Sequence, residues 1–249
     1  MTTVDDRTSA TREWLRIFDP RPAATRRLIC FPHAGGTAAA FRPLALAAPP
    51  DVEVAAVQYP GRQDRLGAEM PVGIAALADQ IVEAIGPGIR RDTALFGHSM
   101  GAMVAFEVAR RLRPRFPAPL ARLIVSACKA PSDVVARKPL LDDEGIREFV
   151  RDLGGTGTVV LENEDVWHLL LPTLRADLRS IRSYEYRQGP PLGCPIVAVA
   201  GSLDESATVE DMRRWRAHTV SGFVARSMPG GHFYLNDLPQ ELVELLTQA

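Results

Sequence analysis

Six short apolar runs alternate with stretches of helical periodicity, and this alternation limits the folds open to the chain more than any other feature. The runs are RLICF (27–31), VEVAAVQ (52–58), TALFG (93–97), ARLIVSA (121–127), PIVAVAG (195–201) and GFVARSM (222–228). Short runs of this kind predict strands that are mostly buried on both faces. Segments 38–48, 74–86, 101–113, 208–218 and 236–247 carry apolar residues at helical spacing. In the third, Ala102, Ala105, Phe106, Ala109 and Leu112 fall on one stripe. Strand and helix in turn predict a mainly parallel, doubly wound α/β sheet. At 249 residues the chain has ample material for such a core, and it reads as one domain spanning 1–249.

One interval breaks the rhythm. Between Lys129 and Gly193 the next strand is delayed far beyond the roughly 20 residues that a crossover helix needs. The excess holds two helical stretches, DDEGIREFVRDLGG and EDVWHLLLPTLRADLRSIRSYEY. An insertion here, at about 130–190, would sit over the carboxyl ends of the strands, where open parallel sheets bind ligands. It reads as a helical lid, with plain helical decoration as the alternative. Within it Leu170, Leu171, Leu174, Leu178 and Ile181 recur at helical spacing, so one face must be buried.

Between TALFG and the third helix stands GHSMG. Glycines two before and two after Ser99 allow a very tight strand-to-helix turn, where bulkier side chains would collide with neighbouring backbone. Such a turn lifts the serine hydroxyl clear of the sheet. A hydroxyl is a poor nucleophile until a base takes its proton and a carboxylate holds that base. In this architecture the order is Ser, Asp or Glu, His. Downstream, AVAGSLDE places Asp204 just beyond a buried strand, and RSMPGGHFYL places His232 beyond the next. The interval between them holds one helix and one strand, so both side chains can reach the same sheet edge. Asp133, which follows the preceding strand, is the alternative acid. His98 fills the variable position of the turn, while His168 and His218 read as solvated helical residues.

Acyl transfer also needs donors for the oxyanion that develops in the transition state. The Met100 backbone N–H, next after the nucleophile, is one candidate. The second comes from CFPHAGGTAAAF (30–41), a Gly-rich turn after an early strand, with the Ala34 N–H as donor.

Placed together, FPHAGG, VQYPGRQDRLG, LFGHSMGAMVAFEVARRL, LLLPTLRADLRSIRSYEY and PGGHFYL resemble the type II thioesterases of polyketide and nonribosomal peptide synthesis, in the α/β-hydrolase superfamily. The resemblance runs from about Arg26 onward. It implies a free-standing enzyme that hydrolyses acyl groups from the phosphopantetheine arm of carrier proteins, clearing stalled or mis-loaded chains. Motif by motif it implies Ser99 as nucleophile, Asp204 as orienting acid, His232 as base and Ala34 and Met100 as oxyanion donors, without cofactor or metal. Such enzymes often read G-D-x-D after the strand before the acid; here GSLD has Ser202 in place of the first carboxylate. The rival readings are another serine hydrolase, such as a carboxylesterase or a chain-releasing thioesterase, and a non-catalytic binding protein of the same fold.

Composition narrows the partners. A formal net charge of -1 argues against general affinity for nucleic acid or an anionic membrane. The N-terminal MTTVDDRTSATREW has no apolar signal core, and no run approaches membrane-spanning length. Cys30, Cys128 and Cys194 are sparse and odd in number, which predicts buried reduced thiols and a cytoplasmic protein. By the same resemblance the carrier partner is acidic. Arg175, Arg179 and Arg182 on a second face of the insertion helix, with Arg62 and Arg65 after YPG, could receive it. A solvated face, its charge diluted by Asp177 and Glu185, is the plainer reading.

Overall fold

The computed structural model describes residues 9–115, 120–134, 139–154 and 161–248. Parts of the predicted insertion (135–138 and 155–160) and the first eight residues of the N-terminal stretch lie outside them. Among the described residues seven strands form one sheet: β1 Leu15–Ile17, β2 Arg26–Phe31, β3 Val52–Val57, β4 Thr93–His98, β5 Arg122–Ser126, β6 Ile196–Gly201 and β7 Phe223–Met228. Their spatial order is β1-β3-β2-β4-β5-β6-β7. All neighbours are parallel except β1, which runs antiparallel to β3. The doubly wound, mainly parallel sheet read from the sequence is therefore present. β3 and β4 are buried at all six positions, which is why they read as unbroken apolar runs.

Alternate side chains feed two cores on opposite faces of the sheet. Ile29, Phe31, Leu95, Leu123, Val125 and Ala198 face helices α3 (Ile74–Ile85) and α4 (Met100–Arg115). Leu28, Cys30, Phe96, Ile124 and Val199 face α2 (Arg42–Ala47) and the C-terminal Gln240–Thr247 helix. The five-residue stripe predicted on α4 is buried throughout. Val104 and Val108 are buried as well, because α4 is wedged between the sheet and α3. The cysteines are buried too, as expected of small hydrophobes.

Some predicted helices are shorter than their periodicity suggests. Segment 38–48 begins as a 3-10 turn over Ala38–Phe41 before α2. Segment 236–247 is interrupted by left-handed Leu238 and by Pro239, so its α-helix starts at Gln240. Two elements escaped the sequence reading, α1 (Ser9–Trp14) and the three-residue edge strand β1. Neither is long enough to display a period.

Between β5 and β6 lie α5 (Asp143–Leu153) and α6 (Glu164–Arg182). Each starts on a side-chain cap: Asp142 accepts from the Gly145 N–H, and Asn163 from that of Val166. Leu171, Leu174 and Leu178 of the predicted stripe pack with Ile146 and Trp167 into a small core of their own, with Leu170 and Ile181 partly buried against it. The remaining helices are α7 (Val209–Arg213), opened by a Thr208–Asp211 capping box, and α8 (Gln240–Thr247). Among the described residues no helix is long and apolar enough to cross a membrane.

The chain starts its parallel sheet at β2, adds β3 on one side, then crosses back to add β4 on the other. The crevice between the loops leaving β2 and β4 is thus the topological switch point, where such sheets open a binding site.

Candidate active site

Ser99 sits at the tip of the turn between β4 and α4 with φ 55°, a left-handed value that non-glycine residues rarely adopt. Its N–H donates to the Ser126 carbonyl at 2.8 Å, which fixes the turn to the next strand. The flanking glycines are required by contact. A Cβ on Gly97 would stand 2.1 Å from the Gly101 carbonyl oxygen, and one on Gly101 would stand 2.0 Å from that of Phe31. The second contact also presses the turn onto the end of β2, where the His33–Gly36 loop begins.

Ser99, His232 and Asp204 meet at this edge. His232 Nε2 lies 3.1 Å from Ser99 Oγ, and its Nδ1 lies 2.9 Å from Asp204 Oδ2. The other carboxylate oxygen accepts from the Ser206 N–H at 2.9 Å, the Ser206 hydroxyl at 2.6 Å and the Ala207 N–H at 3.3 Å. Burial alone would raise the Asp204 pKa. Hydrogen bonds from His232 and Ser206, with the His232 charge, outweigh it and hold the carboxyl below its usual range. The carboxylate is thus kept ionised behind the imidazole, the condition under which His232 can take a proton from Ser99 and become cationic. Ser206 was not singled out from the sequence. Its signal is the D-x-S spacing of an Asx turn, in which the residue two beyond an aspartate bonds back to it.

The alternative acid is elsewhere. Asp133 pairs with Arg214 at 3.4 Å, whereas His232 Nδ1 is bonded to Asp204. His168 is exposed, as read. His218 is not: it is buried against Phe106, Tyr186 and Trp215, with Nε2 3.2 Å from Ser132 Oγ. Burial lowers its pKa, against the opposing pull of Asp133.

Two further histidines line the site. His98 is fully buried, its Nδ1 2.8 Å from Ser126 Oγ, which is in turn 2.6 Å from the Tyr234 hydroxyl. His33 packs edge-on against Phe233 at 5.0 Å between ring centres. Burial, then the His232 and Arg62 charges, push the His33 pKa down to about 4. Burial, then the His232 and His33 charges, hold His98 well below its ordinary value. Both shifts favour the neutral form of the two rings beside His232.

Of the expected oxyanion donors, Ala34 lies on the loop after β2 and Met100 opens α4, two segments that the Gly101 contact brings together. The Gly35 N–H donates to Asp177 Oδ2 at 2.7 Å. Asp177, read as a solvated charge, is instead buried on the inner face of α6 and forked onto Arg62 at 2.9 and 3.0 Å. Arg62 and Arg65 are accordingly not at an open mouth. Arg62 is buried with Asp177, and Arg65 lies over the Trp14 ring while bonded to Gln58 and Glu13.

The thioesterase domain family matches residues 26–249. The chain belongs to that family. It is a thioester hydrolase with the α/β-hydrolase architecture of its relatives. It is 42% identical over 236 residues to a probable cadicidin biosynthesis thioesterase of Streptomyces griseus, covering 94% of this chain and 64% of the other. Against the thioesterase PikA5 of Streptomyces venezuelae it is 40% identical over 231 residues, 92% of this chain and 82% of that one. The solved type II thioesterase BorB of the borrelidin biosynthetic cluster superposes with a TM-score of 0.86 at 40% identity. That match covers 94% of this chain and 96% of BorB. In this chain the Ser99, His232 and Asp204 side chains converge beside the carboxyl end of β4.

Proposed function

We propose that this thioesterase releases stalled or aberrant acyl groups from the phosphopantetheine arm of carrier proteins in polyketide or nonribosomal peptide synthesis, through an acyl-enzyme on Ser99. The observation that carries the reading is the line Ser99 Oγ, His232, Asp204, with spacings of 3.1 and 2.9 Å. The family and the biosynthetic names of the relatives support the substrate class.

Ser99 Oγ attacks the thioester carbonyl as its proton passes to His232 Nε2. Asp204, ionised and bonded to Nδ1, stabilises the resulting imidazolium. The carbonyl oxygen becomes an oxyanion held by the Ala34 and Met100 N–H groups. As the tetrahedral intermediate collapses, the C–S bond breaks and His232 returns its proton to the departing pantetheine sulfur. Water then attacks the ester, giving its proton to the same nitrogen, and the second collapse frees the carboxylic acid and regenerates Ser99. A thiol of pKa about 8.5 leaves more readily than an alcohol, so no special acid is needed for the first step. The reaction calls on no metal or cofactor. It belongs in the cytoplasm, beside the synthases that load the carriers, and in the reading it engages neither nucleic acid nor membrane.

Intact-mass analysis of carrier proteins bearing varied acyl groups, before and after exposure to the enzyme, tests the proposal. Loss of the acyl mass with retention of the pantetheine arm is the expected result. Turnover confined to p-nitrophenyl esters, with acyl-carriers untouched, would instead mark a small-molecule esterase.

A further inference from the structure

The Arg62–Asp177 pair is almost wholly removed from solvent, with side chains 4% and 2% exposed. It joins a loop after β3 to a helix of the insertion, 115 residues later in the chain. Its hydrogen bonds do not end in the pair itself. Asp177 Oδ2 takes the Gly35 N–H, and Arg62 Nη1 donates to the Gly36 carbonyl at 3.0 Å. Together the two side chains hold the Ala34–Gly35 peptide through its N–H and the Gly36–Thr37 peptide through its carbonyl. Gly35 has φ 72°, and a Cβ there would stand 2.6 Å from Leu174 Cδ2 of α6. Helix and loop are therefore in direct contact.

The peptide held by Asp177 is the one immediately after Ala34. Holding the plane of the Ala34–Gly35 peptide restricts the rotations about Ala34, and so the directions open to the N–H one peptide earlier. A buried ion pair is a weak device for stability alone, since desolvating both charges offsets most of their attraction, and apolar replacements often serve as well. It is a strong device for orientation, because a bidentate fork has one geometry. The same stretch of α6 is tied down twice more: Thr173 donates to the Gly61 carbonyl at 3.0 Å, and Ser180 Oγ accepts from the Gly73 N–H at 3.2 Å.

We propose that Asp177 and Arg62 are positioning residues for the oxyanion hole: the insertion helix reaches down to the His33–Gly36 loop and holds the Ala34 N–H toward the acyl oxygen at Ser99. This rests on the reading above, in which Ser99 is acylated and Ala34 is an oxyanion donor. The segment Thr173–Ser180 is then a wall of the site rather than a cover over it. Swinging it away would dismantle the hole.

The test uses the full chain with an acyl-pantetheine thioester. The double variant Arg62→Met with Asp177→Leu removes both charges at once and leaves no unpaired ion in the interior. With Gly35 released, kcat should fall on the order of 100-fold, the scale of losing one oxyanion donor, while KM stays within about twofold. Affinity for a boronic acid that mimics the tetrahedral intermediate should fall with kcat, whereas the thermal midpoint need not. Asp177→Asn keeps an acceptor for Gly35 and should recover most of the rate. Arg62→Lys keeps the charge without the fork and should lose about 3- to 10-fold; these two single variants carry the test if the double variant does not fold. Rates are expressed per folded molecule. A folded double variant that retains wild-type kcat and boronate affinity, or, where that variant does not fold, an Arg62→Lys variant that does so, would overturn the proposal. Ser99→Ala serves as the control: if it turns over normally, the acyl-enzyme reading itself fails. If it is inert while the double variant, or Arg62→Lys where the double variant does not fold, is fully active, only the positioning role fails.

Discussion

Asp204 holds His232 through one carboxylate oxygen and spends the other entirely on the turn that follows, with the Ser206 hydroxyl 2.6 Å from Oδ1. The same hydroxyl stands 3.1 Å from His232 Nδ1, so Ser206 touches both members of the pair. Replacing Asp204 by Asn leaves a side chain that cannot stabilise an imidazolium, and acyl hydrolysis should drop on the order of 10³-fold or more. Ser206→Ala removes one of several donors to the carboxylate and should cost only a few-fold in kcat. Comparing kcat for both variants on one acyl-pantetheine substrate checks the ranking. A Ser206 variant as damaged as Asp204→Asn would mean that the hydroxyl, not the carboxylate, orients the ring.

At Ser99 the demands of chemistry and of stability pull apart. The left-handed backbone there, φ 55°, costs a non-glycine residue about 1–2 kcal/mol. Ser99→Ala should abolish turnover by a factor of at least about 10³ while leaving the fold intact, since it removes one hydroxyl from a tight turn and opens no core cavity. Ser99→Gly should be equally inactive but more stable than Ser99→Ala, its melting point higher by about 2 °C after glycine's own entropy loss is counted. Thermal melts of the two variants side by side give the answer. A less stable glycine variant would show that the turn is not strained.

The two histidines beside His232 should make the protein sensitive to acid. His98 faces His33 and His232 at 6.0 and 5.2 Å between ring centres, with Ser126 and Tyr234 on its other side. Both His98 and His33 have pKa values lowered in the folded state. As pH falls below about 6.5, the unfolded chain therefore takes up protons that the folded chain refuses, and stability is lost. For His33 this loss levels off near pH 4. Asp204 acts lower: its depressed pKa contributes stability that is complete above its ordinary value of 3.8 and is lost as pH falls through the folded value. Melting temperature should fall by several degrees from pH 7 to pH 5. His98→Asn, whose amide can still reach Ser126, should flatten that slope. An unchanged slope would assign the sensitivity to other groups.

What the sequence disclosed and what it hid divide along one physical line. The Ser99 turn, the strand ends bearing Asp204 and His232, and the sheet itself were legible because each is set by local spacing. Asp177 was not, because its partner lies in another loop and its neighbours Arg175 and Arg179 made it look solvated. The signal was nonetheless present. Asp177 falls between Leu174 and Leu178 on the apolar stripe, and a carboxylate on a buried face must have a partner. His218 was misread for the same reason: Met212 and Trp215 precede it at regular intervals on a buried face. The edge strand β1 was missed because three residues carry no period.

The arginine face of α6 is the part of the sequence reading that the structure changes most. Arg175 is paired with Asp143 of α5, and Arg182 donates to the Pro139 carbonyl. Two of the three arginines thus hold the insertion together, and Arg179 keeps an exposed head. Arg62, the fourth candidate, is committed to Asp177. Replacing Arg175 and Arg182 together by Ser should therefore lower the melting point by a few degrees, the scale of about 0.2–1 kcal/mol for each partly exposed interaction. KM should move alike for an acyl-carrier protein and for a small acyl-pantetheine. Arg179→Ser isolates whatever electrostatic steering this face supplies. That part should weaken as salt rises, because an exposed charge is screened beyond about 10 Å at 0.1 M ionic strength. The measurement is KM for both substrates at low and high salt, for the wild type and both variants. If the Arg175 and Arg182 changes raised KM for the carrier alone and left the melting point untouched, those two side chains would be a docking surface, and their contacts with α5 and Pro139 would be incidental.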